Sequence, residues 1–173
     1  MSELKNAKKF LLKMLRRTGG FNPMVHIITD RNRVGDTVVV CDGDSKKDKE
    51  AMVKATFAAV HATEKCGDRI KGLIFMADAW TLFGAAADEA MEKNIAPRHH
   101  HARKEAALVI RYDKDGTEAW MRPYARKKKI QFLSRKNRCL LYSDGKSDNI
   151  DDVDEMKEWS GWIHDNFKQI NFQ

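Results

Sequence analysis

The chain has 173 residues, 42% apolar and 33% charged, with only 3 Pro and 10 Gly. That length buries a core as a single domain over 1–173, and that composition excludes long disordered tracts. The net charge of +7 is unevenly spread: residues 1–18 carry +5, residues 98–138 carry +9 and residues 139–173 carry −5, a field that attracts polyanions.

Leu4, Ala7, Phe10, Leu11, Met14 and Leu15 recur at helical spacing. They predict an amphipathic helix in residues 1–20, basic on its outer face and closed by Gly19-Gly20. The same pattern also suits a membrane surface. Met24 to Thr29 and Thr37 to Cys41 are rich in β-branched residues and predict a hairpin around the polar loop Arg31 to Gly35. Ser45 to Lys65 is the strongest helical segment, opened by a capping box of Ser45 and Asp48. Its polar residues Lys47, Glu50, Lys54, His61 and Lys65 form one narrow stripe, which predicts burial around most of the circumference.

Ile70 to Ala77 is a short apolar run and reads as a central strand. A short helix follows within Thr81 to Lys93, then a loop from Ile95 to Lys104. Lys114-Asp115-Gly116 supplies the turn between two strands covering Glu105 to Tyr124, with Gly where φ is positive. Setting Asp113 opposite Thr117 places Ile110 against Trp120, Tyr112 against Glu118 and Val109 against Met121. Ile130 to Leu133 and Cys139 to Tyr142 read as a further hairpin around Ser134 to Arg138, followed by a polar loop from Asp144 to Asn149. Residues 150–173 hold an acidic helix from Asp151 to Phe167, with Met156, Trp159, Trp162, Ile163 and Phe167 on its apolar stripe. Strands that mostly lack helices between them predict an α+β fold. The expected architecture is a mainly antiparallel mixed sheet, one long buried helix, and amphipathic helices at both termini.

Three scattered cysteines, Cys41, Cys66 and Cys139, match neither a disulfide framework nor a zinc set. They are expected to be reduced thiols, which with the absence of a leader or a bilayer-length apolar run points to a cytoplasmic chain with no membrane span.

Val38 to Ser45 reads Val-Val-Val-Cys-Asp-Gly-Asp-Ser. A strand ending in Asp-x-Asp resembles the first motif of haloacid-dehalogenase-type phosphatases. That resemblance implies Asp42 as nucleophile and Asp44 as general acid. It also resembles the Asp-x-Asp of glycosyltransferases that hold a metal-bound nucleotide sugar. In either setting the carboxylates suit Mg²⁺ or Mn²⁺. A turn at Asp42-Gly43 and a helix cap at Ser45 account for the same residues without any cofactor. In the run Arg98-His99-His100-His101-Ala102-Arg103, extended backbone would put His99 and His101 on one face, as a zinc pair or, with Arg98 and Arg103, an anion site. The flanking cations oppose a metal. His26, His61 and His164 lie on apolar elements and are expected to be partly buried structural residues.

The basic segment gathers Arg111, Arg122, Arg126, Lys127, Lys128, Lys129, Arg135, Lys136 and Arg138 around Trp120 and Tyr124. Cations interleaved with aromatic rings on a sheet suit single-stranded nucleic acid, through phosphate neutralisation and base stacking. A charged edge protecting a sheet from aggregation accounts for the same cations, and the aromatic rings fit a place in the core equally well. The sequence therefore leads to a small binding protein with a cationic face, for nucleic acid or another polyanion, and away from an enzyme. The alternatives are a divalent-metal-dependent hydrolase using Asp42 and Asp44, and a protein–protein adaptor that meets a charged partner or a second copy of itself.

Overall fold

The computed structural model describes residues 3–31, 38–41, 45–82, 85–95, 99–126, 129–133, 137–142, 147–149 and 154–173. Its elements in chain order are α1 (Glu3–Thr18), β1 (Met24–Thr29), β2 (Val38–Val40), α2 (Lys46–Lys65), β3 (Ile70–Thr81), α3 (Ala85–Glu92), β4 (Lys104–Asp113), β5 (Gly116–Arg126), β6 (Ile130–Phe132), β7 (Asn137–Tyr142), β8 (Ser147–Asn149) and α4 (Asp154–Phe167). Among the described residues eight strands form one sheet, in the order β2-β1-β3-β4-β5-β7-β8 with β6 also on β5. All of these pairings are antiparallel. The α+β class read from the sequence holds.

Helices cover both faces of this sheet. α1 buries Leu4, Ala7, Leu11 and Leu15 against Ile28, Ile74, Met76, Ala107, Val109, Trp120 and Tyr124. α2 and α4 cover the other face, where Met52, Val60, Ile163 and Phe167 meet Val25, Ile27, Leu73, Phe75, Leu108, Ile110 and Met121. β3 lies between β1 and β4 and is apolar on both sides because both sides are covered. It runs four residues beyond Ala77, so Asp78 and Trp80 continue the alternation onto the α1 face. Gly72 lets β4 approach: a Cβ there would sit 2.8 Å from the Tyr112 carbonyl oxygen.

α2 begins on the expected capping box. Ser45 Oγ accepts the Asp48 N–H at 3.1 Å, and Asp48 Oδ2 accepts the Ser45 N–H at 3.2 Å. The helix packs on the sheet along a narrower stripe than expected, through Met52, Thr56 and Val60, while Ala51, Ala55, Ala58 and Ala62 face solvent with His61. Alanine favours the helix yet has little apolar surface to hide, so it marks a helix without marking a buried face.

The β4–β5 hairpin forms with a different register. Asp113 pairs with Gly116, Tyr112 with Thr117, Ile110 with Ala119 and Val109 with Trp120. The connection is the two-residue loop Lys114-Asp115, with Gly116 already in the ladder at φ 124°, where a β-carbon would be strained. Asp113 Oδ1 accepts the Asp115 N–H at 2.9 Å and fixes the turn.

β6 and β7 do not pair with each other as the sequence suggested. Both pair with β5, end to end along one edge: Phe132 opposite Tyr124, and Asn137 opposite Met121. Pro123 stands at the junction. Its carbonyl accepts the Leu133 N–H at 2.9 Å. In a strand the missing proline N–H points to that same edge, which interrupts the ladder there. Residues 147–149, expected as loop, form β8 beside β7. The tail returns to the sheet, where the Gln173 N–H donates to the Ile70 carbonyl at 2.9 Å. Among the described residues no helix is long and apolar enough to cross a membrane.

Candidate polyanion interface

Two basic segments that lie far apart in sequence share one face of the sheet. Arg122 is opposite Ala107, one of the residues packed under α1, so its side chain leaves the sheet on the α1 side. The guanidinium of Arg16, in the last turn of α1, is 5.0 Å from the centre of the Phe132 ring. That of Arg122 is 5.1 Å from the same centre. Lys8 lies 5.4 Å above Trp120. The +5 helix and part of the +9 segment thus make one continuous surface. α4, with a sequence charge of −3, packs on the opposite face.

The cations on the α1 face differ in what they hold. Arg126 is committed inward. Its Nε donates to Glu105 Oε1, and its Nη2 lies 3.1 Å from Asp78 Oδ2 and 3.2 Å from the Tyr124 hydroxyl. The Tyr124 hydroxyl donates to Asp78 Oδ1. Burial of Asp78 raises its pKa above the usual carboxylate value, against the pull of Tyr124 and Arg126. Burial and the bond to Asp78 push the Tyr124 phenol up. The bond to Glu105 raises Arg126. Arg111 is paired with Asp113 at 2.7 Å. Arg122 donates through Nε to the Leu133 carbonyl at 3.3 Å. Among the described residues no carboxylate lies within ion-pair distance of Arg16 or Arg122. Two like charges therefore meet on one ring without a counter-charge from those residues.

The structure redistributes the residues expected to bind. Trp120 and Tyr124 are only 7% and 2% exposed: both pack in the cluster with α1, and Arg126 and Phe132 close the Tyr124 ring. Neither ring offers a free face to a base, which corrects the reading that they stack at the surface. Exposed rings on this side include Phe10 of α1, 44% accessible, and Trp80, 40% accessible, with the Arg103 guanidinium 4.7 Å from the Trp80 centre. Lys129 is exposed just before β6, and the backbone of Arg138 lies in β7 opposite Trp120. Arg98, Lys127, Lys128, Arg135 and Lys136 lie outside the described residues, as do Asp42 and Asp44.

The histidine run is not extended. His100 to Arg103 close a tight turn, with the Arg103 N–H donating to the His100 carbonyl at 3.2 Å. His99 and His101 are exposed, while His100 is buried and stacks on His101 at 4.5 Å. His100 Nδ1 accepts the Ala102 N–H at 3.1 Å, and its Nε2 stands 3.5 Å from Glu89 Oε2 without a hydrogen bond. No group of three or more His, Cys, Asp or Glu among the described residues is placed to hold a metal.

Arg16, Trp80 and Phe132 were not singled out from the sequence. Trp80 was accessible to it, since period-two alternation extended past Ala77 puts residues 74, 76, 78 and 80 on one face. The meeting of Arg16 with Phe132 depends on how α1 crosses the sheet and has no local signal. Comparisons with protein-family models, with curated proteins and with solved structures find no match to this chain.

Proposed function

We propose that the chain is a binding protein for nucleic acid or a related polyanion, contacted through α1 and the adjoining part of β5 and β6. The observation that carries this reading is the convergence of Arg16 and Arg122 on Phe132. Like charges that close repel one another, and a phosphate between them removes the repulsion and takes charge-assisted hydrogen bonds from two planar forks. The rest of the molecule supports it, since the acidic helix lies on the far side of the sheet and leaves the basic face unopposed. The neutralised cluster around Arg126 serves the fold and contributes little field to a ligand.

Titration of labelled oligonucleotides across a salt series tests this reading. Binding is expected to weaken log-linearly with salt, as counterions are released from phosphates. Reversing both Arg16 and Arg122 to Glu is expected to weaken binding to every sequence and to reduce the salt slope by about 2. Reversing Lys54 and Lys65 on the exposed side of α2 changes the net charge equally and is expected to matter far less. Absence of binding even at low salt, or equal loss in both double variants, overturns the proposal.

A further inference from the structure

Four residues stand in one transverse row across the α1 face, each directly opposite the next: Trp80 on β3, Glu105 on β4, Tyr124 on β5 and Phe132 on β6. At the strand spacing of a sheet the row is about 14 Å long. Its two ends are alike. Trp80 carries the Arg103 guanidinium, and Phe132 carries those of Arg16 and Arg122. Its middle is different. There Tyr124 is buried, and Glu105 with Asp78 is neutralised by Arg126. Arg126 lies 5.7 Å over the Tyr124 ring with its side chain 44% exposed, so the surface between the two cation-bearing rings is a third guanidinium whose carboxylate partners are already satisfied.

We infer that this row is the track of a single-stranded nucleic acid lying across the strands, with unpaired bases stacked on Trp80 and on the guanidinium planes at Phe132. The inference rests on the polyanion reading and adds the strand state and the path. Phosphate attraction alone does not distinguish a duplex from a single strand. Aromatic rings do, because a base inside a duplex has both faces covered by its neighbours, and only an unpaired base stacks on a side chain. An exposed tryptophan already stacked by an arginine presents both a π-face and a planar cation, the two surfaces bases use. Arg103 and the Arg16–Arg122 pair then contact the phosphates that flank the stacked bases. Glu105 does not repel the strand, since its carboxylate is engaged by Arg126.

Four fluorescein-labelled probes of about 12 nucleotides, within the usual site size of such surfaces, test the inference: oligothymidylate, oligouridylate, a mixed-sequence DNA single strand and its duplex. Unlabelled heparin serves as competitor. Trp80→Ala is expected to weaken single-strand binding about tenfold. The loss for the duplex and for heparin is expected to be at least five times smaller. Trp80→Phe is expected to recover most of the affinity. Thymidylate against uridylate distinguishes DNA from RNA as the source of the strand. Equal loss for single strand, duplex and heparin, or no loss at all, overturns the single-strand track while leaving polyanion binding in place. Failure of every probe to bind the unaltered protein at low salt removes the parent reading instead. Should Trp80→Ala lose its cooperative unfolding, the unaltered protein decides at about 150 mM salt. Tighter binding of single strand than of duplex by threefold or more supports the track, and equal or reversed preference overturns it.

Discussion

The two faces of the sheet solve the same packing problem with different materials. Among the described residues, the buried polar groups under α2 and α4 include the hydroxyls of Thr56, Thr117 and Ser160, set among Phe75, Leu108, Ile110, Met121 and Phe167. Under and beside α1 the sheet carries His26, Asp78, Glu105, Arg111, Asp113 and Arg126. Charges in partly buried positions cost desolvation and return it only when well paired. Among the described residues, the core of the α2–α4 side closes its part of the sheet with apolar side chains. The charged side holds its carboxylates by pairing them within the fold, and beside those pairs stand Arg16 and Arg122, where binding is proposed. Pairing within it is selective: Arg126 and Arg111 are matched to carboxylates, whereas Arg16 and Arg122 share an aromatic ring.

The comparison breaks most visibly through the core. Phe167 has no exposed surface and packs at 6.0 Å from Phe57 and 6.2 Å from Trp162. Phe167→Ala is expected to cost about 3–5 kcal/mol in urea unfolding, with oligonucleotide affinity unchanged at temperatures where the variant is folded. Leu15 is equally buried but anchors α1. Leu15→Ala is expected to cost about 3 kcal/mol and also to weaken binding, because a loosened helix no longer holds Arg16 over Phe132. Equal loss of affinity in the two variants would mean that binding follows global stability and that the faces do not divide the work.

A second contrast lies within β5. Arg122 and Arg126 are four residues apart and face the same side. Removing Arg126 leaves Asp78 and Glu105, whose side chains are 15% and 13% exposed, without their cation. Arg126→Ala is expected to cost about 2 kcal/mol, below the range for fully buried pairs because the guanidinium itself is partly solvated. Arg122→Ala is expected to cost well under about 1 kcal/mol in stability and several-fold in oligonucleotide affinity. Unfolding and titration of both variants side by side sharpen the division. The opposite pattern, with Arg126 governing affinity and Arg122 stability, would reverse which arginine faces a ligand.

What was legible in the sequence is what depends on neighbours along the chain. The stripe of Leu4, Ala7, Leu11 and Leu15, the Ser45–Asp48 box, the central strand at Ile70 and the turn before Gly116 each carry a local signal, and each is present. What failed depends on partners far away. Lys114-Asp115-Gly116 fits a two- or a three-residue loop equally well, and the choice shifts every cross-strand pair by one. Trp120 has the same composition around it whether it is wet or covered, and α1 covers it. β6 and β7 have the spacing of a hairpin, but the length of β5 offers both a better edge. The candidate site was half legible for the same reason: its charge is written in the sequence, whereas the ring that gathers Arg16 and Arg122 is set by the crossing of a helix over a sheet.

The smallest expected effect reports on the quietest part of the charged face, the Asp78 carboxyl. Asn at this position keeps an oxygen to accept from Tyr124 and removes the titration. Burial is the dominant influence on Asp78 and raises its pKa from the ordinary 3.8, while Arg126 and Tyr124 pull it down. Between 3.8 and the raised value the folded protein holds more protons at this site than the unfolded chain does. Its contribution to stability is therefore fully present below 3.8 and is lost as pH rises through the folded value. Groups remote from this cluster are the same in both proteins and cancel in the difference. The stability of the unaltered protein minus that of Asp78→Asn is expected to fall slightly as pH rises from below 3.8 toward neutrality. Urea midpoints at the two ends of that range measure it. A difference that grows with pH would mean that the attraction of Arg126 outweighs burial at Asp78, and that the cluster is held together by its charges rather than burdened by them.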